Sequence, residues 1–314
     1  MENRDMIKAV MIGHAVADAL GVPVEFRSRT SFAKDPVTDM RGYGTYPFPA
    51  GTWSDDTSMS VAALDSLASG EINYEEIMKN FADWYRSGKY TATGVMFDIG
   101  ITCRQAISSF VNEDKSPLAC GLSDMYSNGN GSLMRIHPFV LMGYFCDMNG
   151  EMDAVMENAS SLTHSHERSV LACKIYARVL CRLLEDSSKE SVLRALDEAK
   201  TLYAGDSECG TYARLFTEGF ANLPSEEIRS SGYVVDTLEA AIWCLLTTDS
   251  YEACALKAVN LGEDTDTVAA VAGGLAGALY GYEAIPEKWR KTLLKRNYIE
   301  KMCDKAAKNW KISD

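Results

Sequence analysis

Apolar side chains recur at helical spacing through most of this chain, and alternating strand patterns are nearly absent. The segment from Asp5 to Leu20 shows the pattern first. Ile7, Val10, Met11, His14, Ala15, Ala17 and Ala19 approximate one stripe, which Gly21 and Pro23 end. Further helices are predicted from about Thr57 to Gly70 and from Tyr74 to Arg86. The same reading covers 101–111, 150–162, 167–185, 188–202, 237–247, 250–260 and 266–280, with a basic amphipathic helix over 287–308. A chain without strands buries its stripes only by packing helix on helix, so the expected fold class is all-α. No Pro/Gly/Ser-rich linker divides the 314 residues, and no solenoid repeat is visible, so one domain, 1–314, is expected. The unpatterned stretches 21–56, 113–131, 220–235 and 261–265 hold the polar motifs, as loops on a helical scaffold do.

Composition narrows the function by exclusion. The formal charge is -13. Broad nucleic-acid or anionic-membrane binding needs a basic face, so neither partner is expected. No apolar run approaches the roughly 18 residues of a bilayer span. The first residues lack the basic start, apolar middle and small-residue cleavage site of a signal peptide. Nine cysteines without C-x-x-C spacing point to a reducing compartment, the cytoplasm, and away from disulfides or zinc clusters. An anionic substrate would then need local positive potential, which metal ions and backbone N–H groups can supply.

Two acidic clusters stand out. Gly51-Thr-Trp-Ser-Asp-Asp-Thr57 places adjacent carboxylates and hydroxyls just before an Ala/Ser-rich helix. Read alone it is an N-cap, since Ser and Asp accept from the free N–H groups of a first turn and negative charge suits a helix start. A cap needs only one such group, however, and neighbouring carboxylates repel unless something positive lies between them. Gly262-Glu-Asp-Thr-Asp-Thr-Val268 repeats the arrangement before a small-residue helix, VAAVAGGLAGALYG. Together the clusters offer Ser54, Asp55, Asp56, Asp264, Asp266 and Thr267. That all-oxygen set suits Mg²⁺, Ca²⁺ or Mn²⁺, whereas zinc and copper prefer His or Cys. Neither loop has EF-hand spacing. The small residues after each cluster would let helices approach closely and bring the two loops together.

Other polar features are weaker. Asn128-Gly-Asn-Gly-Ser-Leu-Met-Arg135 is a Gly-rich turn whose N–H groups could receive phosphate, yet it lacks the spacing and Lys of a Walker loop and alone reads as an ordinary turn. Arg135 suits a phosphate or an internal carboxylate. His164 and His166 have no third His or Cys nearby and read as helix-start residues, while His14 and His137 read as packing residues. Glu25 follows the first helix. Asp98 is the one acid in Gly94-Val-Met-Phe-Asp-Ile-Gly100. Each fits an ordinary surface or core role as well as a site.

Taken in order, these motifs resemble the ADP-ribosylglycohydrolase family, and look closest to its dinitrogenase reductase-activating branch. The resemblance runs from Gly13-His-Ala-Val-Ala-Asp-Ala-Leu-Gly-Val-Pro-Val-Glu25 through Trp53–Thr57, Phe97–Gly100, Gly129–Arg135, Thr163-His164 and Ser231–Ala241. It continues to Asn260–Thr267, Gly273, Gly277 and Gly281, nearly the whole chain. Ala17 stands where the family usually has Gly, and Ser54 where Thr is commoner; the hydroxyl is kept.

The resemblance implies an all-α orthogonal bundle with a binuclear Mg²⁺ or Mn²⁺ centre, its ligands Ser54, Asp55, Asp56, Asp264, Asp266 and Thr267. It implies that Gly129, Asn130, Gly131 and Ser132 cradle a diphosphate and that His164 contacts the nucleotide moiety. Glu25 would lie over the metals and Asp98 on the leaving-group side, with Asp56, Asp98 and Glu25 as catalytic residues. The expected activity is hydrolysis of the glycosidic bond between ADP-ribose and a modified target, first of all an arginine on a protein. Serine-linked or small-molecule ADP-ribose derivatives are the alternative substrates, and a monomer is expected. Three rival readings are a catalytically inactive ADP-ribose-binding homologue, a metal-dependent phosphohydrolase, and a helical interaction module whose acids are only caps. Retention of both acidic motifs argues against the first.

Overall fold

The computed structural model describes residues 3–312. Among the described residues there are fourteen α-helices and no strand. They are α1 (Asn3–Gly21), α2 (Arg29–Phe32), α3 (Asp55–Leu67), α4 (Tyr74–Ser87), α5 (Ile101–Asn112), α6 (His137–Phe145) and α7 (Met152–Ser161). There follow α8 (Glu167–Glu185), α9 (Lys189–Leu202), α10 (Val234–Leu246), α11 (Tyr251–Val259), α12 (Thr265–Tyr280), α13 (Glu287–Thr292) and α14 (Arg296–Asn309). One hydrophobic cluster runs from Ile7 on α1 to Trp310 after α14. Cys103, Cys173, Cys244, Cys254 and Cys303 are buried in it as free thiols, small hydrophobes as read.

The periodic segments are all helical, with informative differences at their ends. Asp55 and Asp56 form the first turn of α3 instead of preceding it. The single basic helix expected over 287–308 is two, because Leu294 N–H donates to the Gly51 carbonyl at 3.0 Å and Lys295 takes a φ of +48°. That break clamps the loop leading into Ser54. No periodicity announces α6, because His137 to Gly143 are all buried and the helix has no polar face. By contrast α4 follows ordinary rules. Asn73 caps its start by accepting from Glu76 N at 3.1 Å, left-handed Gly88 ends it, and Ile77, Phe81 and Trp84 face inward.

The expectation that nothing reaches membrane-span length fails for α1. With the turn after it, Arg4–Val24 is long and apolar enough to cross a bilayer, but 94% of that window is buried inside the fold. It is the central helix of the bundle, and its charged residues hid it from a search for an unbroken apolar run.

The central contact is α1 against α12. A Cβ on Gly277 would lie 2.0 Å from the Ala9 carbonyl oxygen, and one on Gly21 would lie 2.3 Å from Asp266 Cα. These helices meet backbone to backbone, which only residues without a side chain allow. Tyr251 of α11 adds a hydrogen bond to the Gly13 carbonyl at 2.5 Å, and Thr265 donates to the Gly21 carbonyl at 2.9 Å. Gly277→Ala should therefore destabilise the protein by roughly 1–3 kcal/mol through overpacking. Gly210→Ala, where nothing lies within 4 Å of the added carbon, should change stability by less than about 0.5 kcal/mol. Denaturant unfolding of both variants checks this pair.

Candidate active site

Three helices deliver the acidic groups. From α1, Asp18 reaches the start of α3 and accepts from Ser54 N at 3.0 Å, Thr57 N at 3.1 Å and Thr57 Oγ1 at 2.6 Å. It is an N-cap supplied by another helix, and it fixes where Asp55 and Asp56 begin. Ser54 is the local cap: its hydroxyl accepts from Asp56 N and donates to Asp56 Oδ2 at 2.9 Å. From α12, Thr267 Oγ1 donates to that same Oδ2 at 3.2 Å. Asp266 Oδ1 accepts from Thr267 N at 2.9 Å. The two acidic motifs, 211 positions apart at Asp56 and Thr267, therefore meet through side chains.

The remaining acids close around them. Asp264 Oδ2 accepts from the Asn130 amide at 2.7 Å, and the same amide donates to Thr237 at 2.9 Å. The Gly-rich loop is thus tied to the second acidic motif. Above α1, the loop after Gly44 straps across the Pro23 turn: Thr45 N donates to the Pro23 carbonyl and Thr45 Oγ1 to the Glu25 carbonyl, both at 2.8 Å. That strap sets Tyr46 beside Glu25 and Asp98, whose shifts it moderates. Asp98 has a φ of +53°, a left-handed conformation that Asp tolerates better than most residues.

The electrostatics are one-sided. Asp55, Asp56 and Asp266 are buried, and burial raises each well above the ordinary carboxylate range. The charges acting on them are mainly those of other carboxylates, which raise them further. Asp264 is raised by burial despite the Asn130 hydrogen bond. Asp18 is pushed up to about 6 by burial, which its four donor contacts from Ser54 and Thr57 partly offset. Burial and the charges of Asp98 and Asp264 push Glu25 up to about 9. Burial and Asp264 push Asp98 up to about 6. Both shifts arise from burial of neighbouring carboxyls, so the pair resists carrying two negative charges at once.

These residues fit hard cations. Asp56 Oδ1, Asp266 Oδ2 and Glu25 Oε2 are buried without a hydrogen-bond partner. One oxygen each of Asp18, Asp56 and Asp266 lie within 4.8 Å of one another, and so do one each of Glu25, Asp98 and Asp266. Buried, orphaned carboxylate oxygens in an all-oxygen set are what a divalent ion such as Mg²⁺ or Mn²⁺ satisfies.

The other sequence candidates are distributed as follows. His164 is buried with its ring against the Gly-rich loop; a Cβ on Gly131 would lie 2.9 Å from its Cε1. Thr163 Oγ1 sits 2.8 Å from its Nδ1, and burial lowers its pKa to about 3, so the ring is neutral. His166 caps α8. Gly129 pairs with Tyr233 across the loop. Ser132 closes the Gly-rich loop with its side chain turned inward. Its Oγ is in the core, bonded to Ser160 at 2.9 Å, which leaves only its backbone for the loop's role. Arg135 faces no carboxylate. It is fully buried over Phe81 and donates to the Ala159 carbonyl and Thr163 hydroxyl, so it braces the loop from beneath. His14 and His137 stack at 4.2 Å directly below α3; the acceptors closest to His14 are the carbonyls of Asp56 and Ala270. Sequence reasoning missed Asp18 and Tyr46. Asp18 gave one signal, an acid in the apolar second half of α1. Tyr46 gave none.

Comparison with known proteins agrees with this arrangement. The sequence profile of the ADP-ribosylglycohydrolase family matches residues 1–313. The ADP-ribosylarginine hydrolase Tri1 of Pseudomonas putida (strain GB-1) is 33% identical over 95% of this chain and 76% of its own length. The ADP-ribosyl-[dinitrogen reductase] glycohydrolase of Rhodospirillum rubrum is 30% identical over 91% of this chain and 89% of its own. A solved ADP-ribosylglycohydrolase-related protein complex superposes with a TM-score of 0.82 at 29% identity, covering 98% of each chain. The expected fold class is the one found.

The raised carboxylates make a stability prediction. In metal-free protein the folded state binds more protons than the unfolded state between about pH 4 and the folded pKa values, so stability falls as pH rises through that window. The thermal midpoint should thus increase as pH drops from about 8 to about 7. Below about 6.5 the buried neutral histidines oppose the trend, because the unfolded state then takes up their protons. Saturating Mg²⁺ should flatten the rise above neutrality. Differential scanning calorimetry with and without the ion tests it, and a metal-free midpoint that climbs toward pH 8 would contradict the burial argument.

Proposed function

We propose, for a chain that belongs to the ADP-ribosylglycohydrolase family and is a hydrolase of that class, that it uses two Mg²⁺ or Mn²⁺ ions to release ADP-ribose from modified protein arginine. The observation that carries the reading is that carboxylate oxygens converge in two groups, Asp18 with Asp56 and Asp266, and Glu25 with Asp98 and Asp266, with unpartnered oxygens on Asp56, Asp266 and Glu25 that divalent ions would satisfy. Ser54, Asp55, Asp56, Asp264, Asp266 and Thr267 would hold the ions. Bound there, they supply orientation of the ribose hydroxyls and a water acidic enough to ionise near neutral pH.

The chain's own groups divide the remaining work. The Gly129–Ser132 backbone and the neutral ring of His164 receive the diphosphate and nucleotide end, with the glycines keeping the wall open beside the ring. Asp98 can meet a planar guanidinium with two parallel hydrogen bonds. A neutral serine leaving group gains no such charge-assisted contact. Glu25, whose carboxyl burial and the charge of Asp98 push up, is the group placed to deliver a proton to the departing nitrogen. Tyr46 stands beside both carboxyls. Asp56, with Oδ1 unpartnered, faces the same space and is available to ligate or to accept a proton. The names of the relatives support the arginine linkage: one is an ADP-ribosylarginine hydrolase.

Mass analysis of products from arginine-linked and serine-linked ADP-ribosyl peptides tests the proposal. Intact ADP-ribose should appear faster from the arginine-linked peptide, chelation should stop it, and Mg²⁺ or Mn²⁺ should restore it. AMP with ribose 5-phosphate would instead indicate diphosphate cleavage. Asp98→Asn should lower turnover of the arginine-linked peptide roughly 10²–10⁴-fold and leave ADP-ribose binding, measured by calorimetry, nearly unchanged. Faster release from serine would overturn the linkage and move the acid role to Glu25 alone.

A further inference from the structure

Among the described residues ten large apolar side chains are exposed, and six of them lie within four residues of Glu25, Tyr46, Asp98 or Gly129: Phe26, Tyr43, Val95, Ile101, Met125 and Tyr126. Scattered exposed apolar residues need no explanation, but clustering around one opening does. Phe26 directly follows Glu25. Val95 and Ile101 stand three residues either side of Asp98, within about 11 Å along the chain. The rings of Tyr46 and Phe48 pack on Phe97 at 4.8 and 4.5 Å, which joins the turn carrying Tyr43 to the Val95–Ile101 segment. Ile101 opens α5, whose Cys103 lies against Gly131, its Sγ 3.9 Å from the Gly131 carbonyl. Tyr126, 98% exposed, stands on the same Gly-rich loop three residues before Gly129. The six side chains form a broken apolar rim around the place where a modified side chain must enter.

We infer that this rim is the docking surface for the body of a folded protein that carries the ADP-ribosylated arginine, so that the enzyme reads the target around the modification as well as the modification. The inference rests on the reaction proposed above. The occupant follows from continuity: whatever chain brings an ADP-ribosyl-arginine to Asp98 must itself lie over residues within a few positions of Asp98 and Gly129. Its chemistry follows from the rim. Aromatic and aliphatic side chains suit the apolar core of a protein interface, where aromatic residues and Met are enriched. A polyanion would want cations, and the two beside Phe26 and Tyr43, Arg27 and Arg41, are both paired with Asp35. A free ADP-ribosyl-arginine carries no protein body to lie over the rim.

The test compares two substrates on one enzyme: an arginine-ADP-ribosylated folded protein and free ADP-ribosyl-arginine. Ile101→Ser combined with Tyr126→Ser should cut kcat/KM on the modified protein at least about tenfold, mainly through KM, the scale of losing an interface anchor. It should leave the free compound within about twofold, since that compound lacks the protein body that would cover the rim. Leu193→Ser, an exposed apolar residue on α9 away from the site, serves as the control and should change neither rate. Thermal midpoints confirm that all variants fold. An equal loss on both substrates, or no loss on the protein, overturns the rim as a docking surface while the hydrolase reading stands. A wild-type enzyme that cleaves neither substrate overturns both.

Discussion

The approach of α1 to α12 is the contact on which the rest of the site depends. Gly277 and Gly21 let the two backbones touch, and that touch sets Asp18 and Asp266 on either side of the start of α3. Had either helix carried a Cβ at these points, the axes would separate and the carboxylates with them. Asp18 converts the contact into register. By binding Ser54 N, Thr57 N and the Thr57 hydroxyl it decides which residue is the first of α3, and so which way Asp55 and Asp56 project. The Gly51–Leu294 hydrogen bond holds the preceding loop from the opposite side. Packing energy spread over the whole core thereby fixes a few oxygens.

The oxygens so fixed repel one another. Burying a carboxylate without a partner is costly, and several share one space here with unsatisfied atoms among them. A protein selected only for stability would not keep this arrangement, because caps need one acceptor and not a cluster. The structure is consistent with a fold that tolerates local instability for a function requiring concentrated negative charge. Divalent ions are the natural complement: they satisfy the orphaned oxygens and reverse the sign of the local field, which an anionic diphosphate then finds favourable. Glu25 and Asp98 show the same logic at smaller scale, since two close buried carboxyls raise one another and resist ionising together.

Much of this was legible in the sequence, and the parts that were not have physical reasons. Helical periodicity reports amphipathic faces, so it located α4, α8 and α12 but had nothing to say about α6, buried on every side. It joined α13 to α14, because a break that serves a distant loop leaves no mark in local spacing. The two acidic motifs stood out through redundancy, more acceptors than a cap can use. Asp18 did not, because its partners lie 36 and 39 positions away. Tyr46 belongs to a loop whose course is set by Pro23 and Glu25, and no local pattern encodes such a strap. Ser132 stands on the loop as its motif places it, but only packing decides that its hydroxyl turns inward to Ser160.

The central proposal is that the convergent acids would hold divalent cations, with Asp266 common to both carboxylate groups. Mn²⁺ titration of the full chain, followed by electron paramagnetic resonance, tests it without reference to turnover. The account predicts two bound ions per chain with the spectral signature of a coupled pair, and loss of that coupling in Asp266→Asn. Absence of stoichiometric Mn²⁺ binding, or an unaltered coupled signal in Asp266→Asn, would contradict it.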